Sequence, residues 1–304
     1  MEDALDILTV SDMAVDVILD TETWPHFGQA EVLIRDYAIE VGGSANIFAS
    51  QFRKLGGTVG VVGKVGADAA GEFVVDKLAK IGVDLRWVAR DDRLKTGMST
   101  HINLSHDRGI MTYLGSIDAV GPDDLFDLPL ASFRHWHVAS YFLLQRMRPH
   151  WPAWLEKLRQ AKKTISLDPN WDPDGKWTSV RELLPQVDVF LPNAAEAMAI
   201  SGERSARAAG RALSRICPLV VIKCGKDGAV AFRQGERLDP RMQGATRSKI
   251  ADTTGAGDSF DAGFLRAWLL GQSIERCLEL GVHCGSTSLS ALGGIEAQYS
   301  GVVA

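Results

Sequence analysis

Short apolar runs that stop abruptly at a polar or glycine residue, separated by helical patterns, constrain this chain more than any other feature. "DILTV", "TVGVVGKVG", "HWHVAS", "TISLDPN", "VDVFLPN" and "LVVIKCG" are such runs. Between them lie segments with the helical period. In "NIFASQFRKLGG", Ile47, Phe48, Phe52 and Leu55 share one face and Gly56-Gly57 close the helix. "AAGEFVVDKLAKIGV" repeats the pattern and stops at Gly82. Alternating βα units of this kind predict a mostly parallel sheet with helices on its faces, an α/β fold. In open α/β sheets, ligands gather at the carboxyl ends of the strands. Asp168, Asn170, Asn193 and Gly225 stand at such ends and are expected to face one crevice.

Two segments break the alternation. "VDVILDTETWPHFGQAEVLIRDYAIEVGG" and "TGMSTHINLSHDRGIMTYLGS" are β-prone and contain no intervening helix. They predict hairpin strands of a small separate sheet, near residues 12–40 and 96–116, that rises over the crevice as a lid. Edge strands of the main sheet are the alternative reading. Residues 1–304 otherwise read as one domain, without repeats, low-complexity tracts or long linkers.

Bulk properties narrow the function classes. The 304 residues are 46% hydrophobic and 23% charged, with a net charge of −5. No basic footprint for nucleic acid or an anionic membrane is present. The start "MEDALDILTV" lacks a basic n-region, which argues against a signal peptide, and no apolar run has the length of a membrane span. Cys217, Cys224, Cys277 and Cys284 have no CxxC spacing and are expected to be reduced in a cytoplasmic protein. Neither GxxxxGK[ST] nor a GxGxxG after the first strand occurs, and HExxH is absent. His135 and His137 lie in an apolar run and read as packed residues.

The positive signal is "DTTGAGDSF". Gly255, Ala256 and Gly257 would present backbone N–H groups at the N-terminus of the helix that Asp258 enters. Such a turn suits negative charge developing on a transferred phosphoryl group. Asp258 could take the proton of an attacking hydroxyl, or it could simply cap the helix. The string resembles the C-terminal signature of the ribokinase family, the PfkB-type carbohydrate kinases. That resemblance implies that Asp258 is the catalytic base and that the glycine turn is the anion hole. "VGGSANIFASQFRKLGG" resembles the family's upstream signature. There Gly42 and Gly43 would let backbone approach the sugar, and Asn46 would bond a sugar hydroxyl.

Other matches span nearly the whole chain and extend the implied site. In "SDMAVD", Asp16 fits the sugar-binding aspartate, with Asp12 as companion. "NAAE" resembles the family's N-x-x-E, placing Asn193 by the phosphates and Glu196 near magnesium. "KCGKDG" resembles the nucleotide-binding turn, with Gly225 and Gly228 approaching ATP. Lys223 stands where many members carry Thr, and its cation either reaches a phosphate or is a solvated charge. "LDPN" puts Asn170 at substrate or phosphates. His283 would lie beside the adenine, and Asp252 would help hold a monovalent cation such as K+. Asn103, Arg108 and Tyr113 belong to the lid and crevice, where specificity resides.

The implied whole is a ribokinase-like three-layer sandwich with a β lid, working with ATP and Mg2+ on a small sugar or sugar acid, as a homodimer joined through the lid. Ribose, fructose and 2-keto-3-deoxygluconate all remain open as acceptors. A nucleoside kinase is the second reading, since Tyr37 and Tyr113 offer aromatic faces to a base. A non-catalytic sugar sensor is the third, disfavoured because a sensor has no use for a base.

Overall fold

The computed structural model describes residues 4–104, 107–172, 174–242 and 250–303. Its strands are β1 (Leu5–Val10), β2 (Ala14–Asp20), β3 (Asp36–Gly42), β4 (Val59–Gly66), β5 (Asp84–Asp91), β6 (Gly97–Asn103), β7 (Arg108–Tyr113), β8 (Phe133–Val138), β9 (Thr164–Leu167), β10 (Val189–Phe190), β11 (Leu219–Lys223), β12 (Ala229–Arg233) and β13 (Glu236–Met242). The helices are α1 (Ser44–Lys54), α2 (Ala69–Ile81), α3 (Pro122–Leu125), α4 (Trp151–Gln160), α5 (Thr178–Leu183), α6 (Ala194–Ser201), α7 (Ala206–Leu213), α8 (Ala256–Leu269) and α9 (Ile274–Ser288).

Nine strands form the large sheet in the order β13-β12-β11-β10-β9-β8-β1-β4-β5. From β5 to β11 every neighbour is parallel, and β12 and β13 add an antiparallel edge. Strand order reverses at β1, which lies between β4 and β8. A crevice opens at such a reversal, because the connections leave in opposite directions and nothing fills the gap. Side chains alternate between the two faces of each strand and feed two cores. Ile47, Phe48 and Phe52 of α1 pack with Val74 and Leu78 of α2, Phe264 of α8 and Leu278 of α9. The opposite face buries Trp136 and Trp154 with Leu155, Val180, Ala197 and Leu213. These are the three layers expected from the alternation.

The two β-prone segments do form a separate sheet, in the order β3-β2-β6-β7. β2 pairs antiparallel with β3 and parallel with β6, and β6 pairs antiparallel with β7. β2 begins only four residues after β1 ends, and β3 runs straight into α1. The small sheet is thereby rooted at the carboxyl end of β1, where the crevice opens.

Candidate active site

Gly42 and Gly43 join the small sheet to α1, and neither position has room for a side chain. A Cβ on Gly42 would run into the Asp16 carboxylate, and one on Gly43 into the Asp12 carbonyl. Gly43 also has φ of 90°, a left-handed conformation natural only to glycine. Asp12 lies just past β1 and acts as the cap that α1 lacks in its own sequence. Its carboxylate accepts the N–H groups of Ser44 (3.1 Å) and Ala45 (3.2 Å) and the Ser140 hydroxyl. Burial pushes the Asp12 carboxyl up to about 6 against these hydrogen bonds. Asp12 is thus turned onto protein donors.

Asn46 and Asn170 are also braces. Asn46 is the third residue of α1 and fully buried. Its Oδ1 accepts from Ser11 Oγ (2.6 Å) and its Nδ2 donates to the Gly42 carbonyl (2.8 Å), which leaves one amide hydrogen for a ligand. Asn170 Oδ1 accepts the Ser140 N–H (2.6 Å), and its Nδ2 donates to Ser44 Oγ (3.0 Å). Asn170 and Ser140 both have positive φ, 54° and 52°, and close the ends of β9 and β8 against each other. Backbone held in this sparsely populated region is typical of functional sites. Sequence reasoning overlooked Ser44 and Ser140; nothing in a lone serine announces it.

Asp258 is the third residue of α8, buried to 8% exposure and facing this cluster. Burial, with the Asp168 charge behind it, holds its carboxyl well above the usual range, while the Ser44 hydroxyl bonds to it. The helix is capped by Gly255 at φ 71°, where a Cβ would strike Ile47 and Gly294. The Ala256 N–H already donates weakly to the Thr253 carbonyl (3.4 Å). Gly257 and Asp258 are among the first-turn residues whose N–H groups have no partner within the helix.

Lys223 ends β11 beneath this turn. Its Nζ lies 2.7 Å from Asp168 Oδ2 and 3.0 and 3.2 Å from the two oxygens of Asp261. It is not a solvated charge. Burial penalises its cation, but Asp168 and Asp261 outweigh that and raise its pKa. Against its own burial penalty, Asp168 is held below its ordinary value by Lys223 and by a hydrogen bond from Asp261. Burial raises the Asp261 carboxyl well above its ordinary value, against the pull of Lys223. Asp261 was missed because it reads as an interior helix residue.

Next to Lys223, Asn193 and Glu196 form a capping box at the start of α6. Glu196 accepts the Asn193 N–H (2.8 Å) and the Asn193 side-chain amide (2.6 Å). Glu196 is buried rather than on a surface, and burial pushes it up to about 7. The Gly225–Asp227 turn follows β11 and opens onto a cleft of about 300 Å³. Lys223, Gly225, Gly228, Ala256, Gly257 and Phe260 contribute to its walls. His283 does not. Val282, Gly285 and Ser286 present the cleft-facing side of α9, Leu289 adds to it just past the helix, and the exposed His283 ring packs on Tyr299 at 4.4 Å between centroids.

The small sheet closes the other side. Strand register puts Asp16, Glu40, His101, Asn103 and Arg108 on one face. That face meets the turn before α8, since Arg108 donates to Thr254 Oγ1 (2.9 Å) and lies 3.7 Å from Asp252. His101 Nε2 lies 3.4 Å from Asp16, while His101 Nδ1 and Asn103 Oδ1 are buried without a hydrogen-bond partner. Asp252 itself accepts from the Thr254 N–H (3.0 Å), the Thr254 hydroxyl (2.9 Å) and the Gly293 N–H (3.1 Å). Tyr37 and Tyr113 stand on the opposite face from Asp16, so these two rings do not face the crevice to stack a base. His135 and His137 are fully buried. They share Ser166, with burial lowering His137 to about 3 and His135 well below the usual imidazole range.

A parallel sheet whose strand ends converge on a buried aspartate and a helix N-terminus, walled by a second sheet, is the frame of a phosphotransferase. The pfkB family carbohydrate kinase model matches residues 4–299, and the chain belongs to that family. A fructokinase of Klebsiella pneumoniae is 31% identical over 84% of this chain and 87% of its own length. A 2-dehydro-3-deoxygluconokinase of Bacillus subtilis is 29% identical over 84% of this chain and 82% of its own. The solved ribokinase of Arabidopsis thaliana, complexed with ribose and ATP, has a similar fold. Its TM-score is 0.79 at 22% identity, covering 97% of this chain and 96% of that one.

Proposed function

We propose that this protein transfers the γ-phosphoryl group of ATP to a hydroxyl of a small sugar or sugar acid. The observation that carries the reading is Asp258, buried at the N-terminus of α8 beside the glycine-lined cleft. A base matched to an alcohol needs a raised pKa, and burial supplies one. Asp258 takes the proton as the hydroxyl attacks, and N–H groups of the Gly255–Gly257 turn stabilise the charge that develops on the phosphoryl oxygens. Asp16 and the last free hydrogen of Asn46 hold the acceptor, and Gly225 and Gly228 approach the nucleotide. The fructokinase and 2-dehydro-3-deoxygluconokinase relatives support this acceptor class.

Magnesium fits a site of hard oxygen donors, and it commonly uses one or two carboxylates plus substrate phosphates. Glu196 would supply the protein ligand; among the described residues no cluster of three metal-binding side chains stands ready. When bound, the ion supplies charge neutralisation on the phosphates. The small sheet acts as a lid that excludes competing water. Its outer face exposes Tyr37, Ile39, Met98, Met111 and Tyr113, which supports pairing with a second copy. Free, mostly buried cysteines support a reducing, cytoplasmic setting.

The test is ATP consumption by the purified chain against a panel of pentoses, hexoses, sugar acids and nucleosides. At least one free sugar or sugar acid is turned over. Turnover of nucleosides alone overturns the acceptor class, and sugar binding without phosphorylation overturns the enzyme reading.

A further inference from the structure

Lys223 carries a positive charge that a purely structural ion pair would not need to place where it is. Its Nζ would lie 3.4 Å from a Cβ built on Gly257, so the ammonium sits directly against the glycine turn. The same side chain lines the nucleotide cleft with Gly225, Ala256 and Gly257. The carboxylic groups around it come from several elements: Asp168 after β9, Glu196 on α6, and Asp258 and Asp261 on α8. A triphosphate entering this cleft meets two cations in its lining, Lys226 and Lys223, and only Lys223 is backed by these carboxyl groups against the glycine turn. Lysine is a compact point charge on a flexible stem, suited to phosphate.

We propose that Lys223 is a catalytic residue whose ammonium contacts the transferring phosphate, poised for it by Asp168 and Asp261. This rests on the phosphoryl-transfer reading above. In the step itself the acceptor oxygen forms its bond to phosphorus, and the bond from phosphorus to the bridging oxygen of ADP breaks. ADP leaves with that electron pair, and Asp258 takes the hydroxyl proton. Lys223 exchanges no proton. It offsets charge on the phosphoryl oxygens, which a neutral side chain cannot do. Asp261 bonds to Asp168 and reaches Lys223 with both its oxygens, so the two aspartates together fix where the ammonium points.

Three variants of the full chain test this. Lys223→Met lowers kcat by about 10²-fold or more, the scale of losing one transition-state donor. It also lowers the preference for ATP over ADP in equilibrium binding, without acceptor, by about tenfold on the same reasoning. Lys223→Met alone strands Asp168, so Lys223→Met/Asp168→Asn replaces the ion pair by neutral groups of similar shape. Such replacements are commonly tolerated, and a thermal melt confirms folding. The double variant stays as slow as the single one. Asp261→Asn keeps the Lys223–Asp168 pair and loses less than about tenfold. Parent-like turnover in the double variant, or an unchanged ATP-over-ADP preference, overturns the proposal and leaves Lys223 a structural clamp. Should the unmodified chain phosphorylate no carbohydrate, the acceptor reading fails by itself, while the binding ratio still decides Lys223.

Discussion

The two sheets of this molecule meet solvent in different ways. The large sheet is covered on both faces; Ile7, Leu8, Val10, Val61, Trp136, Ile165, Val220 and Ile222 are essentially inaccessible. Its strand ends therefore hold side chains with little freedom, as the hydrogen bonds joining Asp12, Ser140, Asn170 and Ser44 show. The small sheet has one face toward the crevice, and much of its other face carries exposed apolar residues such as Tyr37, Ile39 and Met111. Close packing keeps reacting groups in place, while a half-exposed sheet can move and still keep its backbone bonds. Chemistry belongs on the first and selection on the second.

That division is most exposed to failure at Asp258. Asp258→Asn leaves fold and ATP binding nearly intact, and kcat falls about 10²–10⁴-fold, the usual general-base contribution. Gly255, not Asp258, is the N-cap of α8, so the exchange removes no cap. Near-parental turnover would reduce Asp258 to a first-turn acid facing the helix dipole and remove the chemistry from the large sheet.

A smaller effect, on a different parameter, belongs to the inner face of the small sheet. Asp16→Ala lowers kcat/KM for the sugar about tenfold or more, on the scale of a buried partner left unpaired, and leaves the KM for ATP little altered. Steady-state kinetics with each substrate varied in turn reads this split. Equal losses on both substrates would mean that the small sheet does not select.

Glu196 sharpens the comparison through pH. Its folded pKa, about 7, lies above its ordinary 4.5. The folded state thus holds the proton more tightly, and this contribution is fully present below about pH 4.5 and lost as pH rises through 7. Glu196→Gln does not titrate. Without magnesium, its unfolding free energy relative to the parent improves across that window by on the order of 1–3 kcal/mol. Denaturant melts at pH 4.5 and 7.5 measure it, and a magnesium titration of the rate shows a raised half-saturation. A flat difference would return Glu196 to an ordinary helix cap.

The smallest effect on rate is expected on the outer face of the small sheet. Ile39→Glu weakens self-association about tenfold, as a charge in an apolar contact should, with kcat changed less than about twofold at concentrations where the dimer persists. Sedimentation velocity reads the first and initial rates the second. Unchanged association would place any dimer contact elsewhere.

Periodicity alone determined the α/β layering, both pieces of the small sheet and the start of α8, because each is written within a few turns or strand residues. Glycine signals were equally local: Gly42, Gly43 and Gly255 mark backbone that must approach closely or turn left-handed. Partners were not legible. That Asp12 caps α1 across a sheet junction and that Lys223 meets both Asp168 and Asp261 follow from where strand ends converge, and that His283 turns to Tyr299 follows from where the C-terminal segment lies on α9. The α1 partners of Asp12 and the two aspartates at Lys223 lie 32 to 55 positions away, and Tyr299 lies beyond the end of the helix that carries His283. A sequence period says which side of an element is buried; only the packing of elements says against what, and charge and pKa are set by that neighbour.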